Sequence, residues 1–196
     1  MILFPRDLIL EDERARLRLL RKEDFEFLLP FAEAEPDLWQ YSTASAAGRD
    51  GMICYLDQAF REYQLQKEYP FIVFDKQANA YAGSTRFYDI QLNHLTTQLG
   101  YTWYGKRFQQ TGLNRHCKQL LLTYAFEQWG MERVEFRADL KNDRSIQSMK
   151  KLGCTPEGVL RSNKTCPEGR RDSIVLSILK TEWLSTVKQT LSQKTR

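Results

Sequence analysis

Between Asn114 and Trp129 the apolar residues fall along one helical stripe: Leu113, Cys117, Leu120, Leu121, Tyr124, Ala125 and Gln128/Trp129, with Gly130 as the stop. Before this segment lies Thr97 to Tyr104 (TQLGYTWY), a strand-like run, and after it Glu132 to Ala138 (ERVEFRA), which alternates. An amphipathic helix between two strands is a crossover. Its apolar stripe must be buried against the sheet that the strands form, which predicts a layered α/β domain and not a bundle or a sandwich.

The rest of the chain fits that frame. Ala15 to Leu20 (ARLRLL) reads as a first strand. Lys22 to Ala34 and Asp50 to Gln66 read as amphipathic helices, the first ended by Pro36. Tyr69 to Phe74 and Ala80 to Ile90 are buried-strand runs that precede TQLGYTWY. Asn142 to Leu152 is a second crossover helix closed by Gly153, and two last strands are expected near Thr155 to Leu160 and Arg171 to Leu179. No repeat or low-complexity linker divides the 196 residues, so residues 1–184 are expected to form one domain, followed by a polar, basic, frayed tail at 185–196.

Composition removes several classes of function. With 42% hydrophobic residues the chain can bury a core, and it holds no apolar run long enough to span a bilayer. The first ten residues carry Arg6 and Asp7 and do not read as a signal peptide. Cys54, Cys117, Cys154 and Cys166 are scattered without zinc-ligand spacing, so we expect no metal site, reduced thiols and a cytoplasmic location. The net charge is +4, of which Lys188, Lys194 and Arg196 supply three. The remaining body is near neutral, which argues against a nucleic-acid partner even though Tyr101, Trp103, Tyr104 and Phe108 interleave with Lys106 and Arg107.

One stretch does stand out by charge. From Ile90 to Phe126 there is no Asp or Glu, while Lys106, Arg107, Arg115 and Lys118 all fall there. Within it, Trp103 to Lys118 (WYGKRFQQTGLNRHCK) passes from a strand through a polar turn into the helix. A helix start offers unpaired N–H groups and the positive end of the dipole, and Gly112 lets an anion approach the backbone. The turn matches neither a Walker A loop nor a dinucleotide fingerprint, so a different phosphorylated ligand is expected. Downstream, LKNDRSIQSMKKLG places Asn142 as an N-cap with Ser145 and Met149 at helical spacing.

These segments resemble the GCN5-related N-acetyltransferases (GNAT), most closely the branch of ribosomal-protein N-terminal acetyltransferases. The likeness runs from about Arg14 to Leu179 and is sharpest from Gln98 to Arg161, in QLGYTWY, TGLNRHCKQLLLTYAFEQWG, RVEFRADLKNDRS and KLG-x-x-x-EG-x-LR. Gln109-Gln110-Thr111-Gly112-Leu113-Asn114 matches the family's Q/R-x-x-G-x-G/A pattern at its first and fourth positions and departs from it at Asn114. The resemblance implies a mixed, mostly antiparallel sheet, splayed at the cofactor site, with helices on both faces. It implies acetyl-CoA as cofactor and an amine, a protein N-terminus or a small molecule, as acceptor, and leaves room for a homodimer.

By the same resemblance, backbone amides from Gln110 to Asn114 hold the pyrophosphate, and the backbone of Trp103 and Tyr104 pairs with the pantetheine, with a bulge at Gly100. Asn142 bonds the pantetheine arm, and Lys118, Arg115 and Lys106 screen the ribose phosphate. The position that carries an acidic Tyr in many members is Met149, so Ser145 takes the role of acid as in the ribosomal branch. The strand position that often carries Glu is Gln98, which leaves Asp89, Tyr88, Glu168, the position near Lys164, or a water path for the base. Another acyl group such as succinyl, or a coenzyme-binding module without turnover, are the alternatives.

Overall fold

The structure, a computed structural model, describes residues 5–166 and 169–194. Its centre is an eight-stranded sheet in the order β1-β2-β3-β4-β5-β6-β8-β7. The strands are β1 Ile9–Glu11, β2 Ala15–Leu19, β3 Tyr69–Asp75, β4 Ala80–Gln91, β5 Thr96–Tyr104, β6 Arg133–Asp139, β7 Thr155–Cys166 and β8 Gly169–Leu179. Every neighbouring pair is antiparallel except β5 and β6. The helices are α1 Phe25–Ala34, α2 Gly48–Gln64, α3 Leu113–Thr123, α4 Asp143–Leu152, α5 Lys180–Glu182 and α6 Lys188–Lys194.

Parity along the strands explains the layers. On β6, Val134, Phe136 and Ala138 are buried while Arg133, Glu135, Arg137 and Asp139 are half-buried on the opposite face. Helix α3 covers the first of these faces, with Lys118 over the Phe136 ring. Helices α1 and α2 cover the other face over the first strands, where Phe31 and Tyr55 meet Trp103. The mixed sheet with helices on both faces is as expected, and α3 is the crossover that makes β5 and β6 parallel.

The strand expected first, at Ala15 to Leu20, is the second, after β1 at Ile9–Glu11, and three further expectations about elements need correction. The helix read as Asn114 to Trp129 is α-helical only to Thr123, and Tyr124–Gln128 is a π-type turn. Tyr124, Ala125 and Phe126 are all buried in that wider turn. The last two strands extend further, to Cys166 and from Gly169, as one long hairpin.

The frayed tail is instead structured. Residues 180–194 form α5, a π-type turn at Trp183–Val187 and α6. Trp183, Val187 and Leu191 recur every four residues and are buried, Trp183 completely, with its indole N–H donating to Glu127 Oε1 at 2.8 Å and its ring stacked on Phe126. Leu191 is only 1% exposed, so Leu191→Ala should cost about 2–4 kcal/mol, read as a lower denaturant midpoint. An unchanged midpoint would mean that this segment is not docked.

Candidate functional site

Parallel pairing between β5 and β6 lasts for three residues, Thr96–Gln98 against Arg133–Glu135. Beyond Gln98 the two strands separate, and the edge of β5 from Leu99 to Tyr104 faces an open gap. The cause sits on the other edge of β5. Gly100 pairs with Arg86 and Trp103 with Ser84, so Tyr101 and Thr102 together oppose Thr85 and form a bulge. Tyr101 carries φ 49°, and the Tyr88 ring lies where a Cβ on Gly100 would be, 2.9 Å from its nearest atom. The bulge expected at Gly100 therefore falls one residue later, with Gly100 leaving room for Tyr88.

Strand alternation then decides which backbone groups reach the gap. The Gly105 N–H donates to Ala82 O at 2.9 Å, and the Trp103 carbonyl lies directly over Gly83, where a Cβ would meet it at 2.0 Å. Trp103 thus spends its backbone on β4, contrary to expectation, and its ring sits among Phe31, Trp39 and Tyr55. Tyr104 and Thr102 present theirs to the gap. The Tyr104 carbonyl accepts from Gln109 Nε2 at 2.8 Å, and Gln109 Oε1 accepts from Arg144 of α4 at 2.5 Å. Gln109 ties the strand end, the turn and the second crossover helix together.

Next to the gap stands the start of α3. Gly112 is its N-cap with φ 90°, preceded by Gln110 at φ 62°. Among the described residues, no atom beyond its chain neighbours and its own helix backbone lies within 4 Å of where a Gly112 Cβ would be, so the space outside the turn is open to a ligand. The Thr111 hydroxyl is held by Phe108 O, and Leu113 N–H leans weakly on Thr111 Oγ1 at 3.4 Å. The N–H groups of the first turn, Leu113 and Asn114 among them, have no acceptor inside the helix. The Asn114 side chain bridges Tyr104 Oη and Ser148 Oγ, which places α4 beside this turn.

The window without acidic residues does not stay free of them in space. Glu35 accepts the Lys106 N–H at 2.7 Å, and Asp37 lies 3.5 Å from Lys106 Nζ. Lys106 is therefore partly neutralised by the segment after α1, while Arg107 lies on the Phe108 ring. Lys118, expected on the phosphate side, is buried at 6% exposure and donates to Thr102 Oγ1 at 3.0 Å. His116 is taken up by Asp12, 2.8 Å from its Nδ1, with Glu13 at 3.5 Å, which docks α3 on the loop before β2.

At the start of α4, Asn142 is the N-cap, its Oδ1 accepting from Ser145 N at 3.1 Å. The Ser145 hydroxyl is half-buried and makes no hydrogen bond among the described residues. Met149 is buried in the core. On the face opposite α3, Gln98 Nε2 donates to Asp89 at 2.7 Å and its Oε1 is buried without a partner among the described residues. Burial pushes the Tyr88 hydroxyl pKa up, which makes it a poor base. Glu168 lies outside the described residues.

Sequence reasoning missed a polar cluster on that same face. Arg86 is 0% exposed, bonded to Glu68 Oε2 at 2.6 Å, and lies 4.6 Å from the Tyr55 ring and 4.2 Å from the Tyr101 ring. Burial raises the Glu68 carboxyl pKa, partly opposed by the Arg86 charge. A lone Arg in TRFY reads as a surface position of a strand, and nothing nearby in sequence signals its partner 18 residues away.

A parallel pair that opens beside a helix N-terminus is a site for an extended ligand with a phosphorylated end. The acetyltransferase (GNAT) domain model matches residues 14–155. The chain belongs to the GNAT family of N-acetyltransferases. It is 31% identical over 86 residues to the "Putative ribosomal N-acetyltransferase YdaF" of Bacillus subtilis (strain 168), a match covering 44% of this chain and 46% of that protein, so less than half of that relative is spanned. It is 25% identical over 176 residues to the "Uncharacterized N-acetyltransferase p20" of Bacillus licheniformis, covering 87% and 96%. Among solved structures, a "putative acetyltransferase" from T. thermophilus superposes with a TM-score of 0.87 at 29% identity, covering all of both chains. No described helix is long and apolar enough to cross a membrane.

Proposed function

We propose that this protein transfers an acetyl group from acetyl-CoA to an amine by direct attack. The observation that carries the reading is the β5–β6 gap opening beside the α3 N-terminus, with Gly112 in the left-handed region and free space outside it. The residues present fit the coenzyme. The first-turn N–H groups of α3 and the turn from Gln110 would take the pyrophosphate, and the open edge of β5 at Thr102 and Tyr104 would pair with the pantetheine amides. Asn142 keeps its amide N–H groups for the pantetheine arm while its oxygen caps α4. When bound, the coenzyme supplies an activated thioester.

Little covalent chemistry then falls to the protein, which positions the acceptor and manages charge. The Ser145 hydroxyl at the start of α4, without another partner among the described residues, donates a hydrogen bond to the departing sulfur. The acceptor enters from the face of Arg86, Tyr101, Gln98 and Asp89, where its proton leaves by water or Asp89. The likeness to a protein named for ribosomal N-acetylation favours a protein N-terminus over a small amine as acceptor.

Thiol release from acetyl-CoA with a panel of N-terminal peptides and small amines tests the reading. Release that requires one amine, with a matching mass gain of one acetyl group, is expected. Coenzyme binding without release for any amine would favour the non-catalytic module, and release from succinyl-CoA alone would replace the acyl group. Ser145→Ala should lower turnover about a hundredfold, and a loss below about threefold would remove Ser145 as the acid.

A further inference from the structure

Lys118 is the one cation of the α3 segment that turned inward, and its surroundings do not compensate it. A lysine is almost never fully buried unless paired. Among the described residues no carboxylate makes an ion pair with it, and its one hydrogen bond is to the Thr102 hydroxyl at 3.0 Å. That hydroxyl is itself engaged, 2.7 Å from Thr85 Oγ1 and 3.4 Å from Gly100 O, and the Lys118 ammonium keeps two N–H groups without an acceptor among the described residues. Leaving a buried ammonium so poorly solvated costs several kcal/mol unless an anion arrives.

Its location says which anion. Thr102 lies on β5 four residues past the last one paired with β6, and Phe136, whose ring centroid is 5.7 Å from Lys118 Nζ, lies one residue past the last paired position on β6. The nitrogen therefore sits between the two strands where they have parted. Lys118 is five residues into α3, about 7.5 Å from its first residue. Strand β5, running the opposite way, covers that distance in about two residues, from Tyr104 back to Thr102. A pantetheine arm is longer than this, about 15 Å when extended, so from a pyrophosphate outside the first turn it runs past Tyr104 to the bulge at Tyr101 and Thr102, where Lys118 Nζ already reaches Thr102 Oγ1.

We propose that Lys118 is a catalytic residue of the acetyl transfer, its ammonium pairing with the coenzyme sulfur as that sulfur leaves as a thiolate. The inference rests on the acetyl-CoA reading and deepens it. The acceptor nitrogen forms its bond to the acetyl carbon, the carbon–sulfur bond breaks, and its electron pair stays on sulfur beside Lys118. The proton lost by the amine leaves by water or Asp89. Lys118 need not give up a proton, and Ser145 contributes a hydrogen bond from α4. Burial pushes the Lys118 ammonium pKa down to about 8, so it is charged at neutral pH, and a thiolate beside it holds the proton more firmly.

The test reads the binary complex, apart from turnover. Thiolate absorbance of free coenzyme A is titrated in the ultraviolet with and without the protein. The titratable groups facing Lys118 are the Cys117 and Cys154 thiols, both pushed up to about 12 by burial, and Tyr104 beside Cys117 is raised as well, so they stay silent between pH 6 and roughly 9. A coenzyme-free titration subtracts Cys54 and Cys166. The wild type should make the bound thiol at least about tenfold more acidic than in solution, Lys118→Met should abolish that gain, and Lys118→Arg should keep part of it.

Loss of a buried charge to an apolar side chain of similar length is often neutral for stability, and Thr102→Val, which leaves the charge in place, should retain most of the effect. A wild-type complex with unshifted thiol acidity overturns the inference and leaves coenzyme binding standing. The same holds if Lys118→Met shifts it as far as the wild type does. Absence of any coenzyme binding to the wild type, read as no rise in melting temperature, overturns the acetyl-CoA reading and this inference with it.

Discussion

Arg86→Met should destabilise the protein by about 3–5 kcal/mol at neutral pH, because it removes one partner of a buried pair and leaves Glu68 behind. The sign of its pH dependence follows from the carboxyl. Burial already raises the Glu68 pKa in the folded chain, and without Arg86 it rises further. A group whose folded pKa is raised binds more protons folded than unfolded, so stability falls as pH rises through the carboxyl range. The variant should therefore lose least in mild acid, where Glu68 is neutral, and most near neutrality. Urea denaturation at pH 5 and pH 7.5 checks this, and Glu68→Gln in the same chain should recover part of the loss. An equal loss at both pH values would contradict the pairing. The change also removes the cation beneath Tyr101, so activity should fall with the bulge it supports.

Gly112→Val should raise the coenzyme A dissociation constant by about a hundredfold or more while costing only about 1–3 kcal/mol of stability. Among the described residues nothing outside its own turn lies within 4 Å of a Cβ at Gly112, so a Cβ there meets no distant protein atom. What it meets is the ligand, and its φ of 90° disfavours a β-branched residue. Gly130 supplies the control. It too has a positive φ, 76°, and nothing within 4 Å of a Cβ, but it lies at the far end of the α3 segment. Gly130→Val should lose similar stability and bind coenzyme as the wild type does. Equal loss of binding in both would show that backbone strain alone is responsible.

The parts of this site legible in the sequence are those set by local chemistry. Gly112 at a helix start, Asn142 three residues before Ser145, and the alternation of Glu132 to Ala138 each depend on neighbours within one turn or one strand. What eluded it depends on parity or on distant partners. One extra residue in the β5 bulge decides that Trp103 turns its backbone to β4 while Thr102 and Tyr104 face the gap, and no residue type announces that shift. Lys118 reads as one more charge of a basic stretch, and only the packing of α3 over β6 turns it inward. Glu35 and Asp37 reach Lys106 from about 70 residues away. The last helix was legible in principle, since Trp183, Val187 and Leu191 keep a four-residue spacing, but the lysines around them read as a tail.

The turn from Gln109 and the start of α3 are expected to hold the coenzyme beside the β5–β6 gap. Amide hydrogen exchange of the wild-type chain, followed by mass spectrometry with and without coenzyme A, tests this placement most directly. Slower exchange is expected in peptides covering Gln109 to His116, Leu99 to Tyr104 and the start of α4 at Asn142 to Ser145, with the β1–β2 hairpin unchanged. Protection elsewhere with these segments unaffected would contradict it.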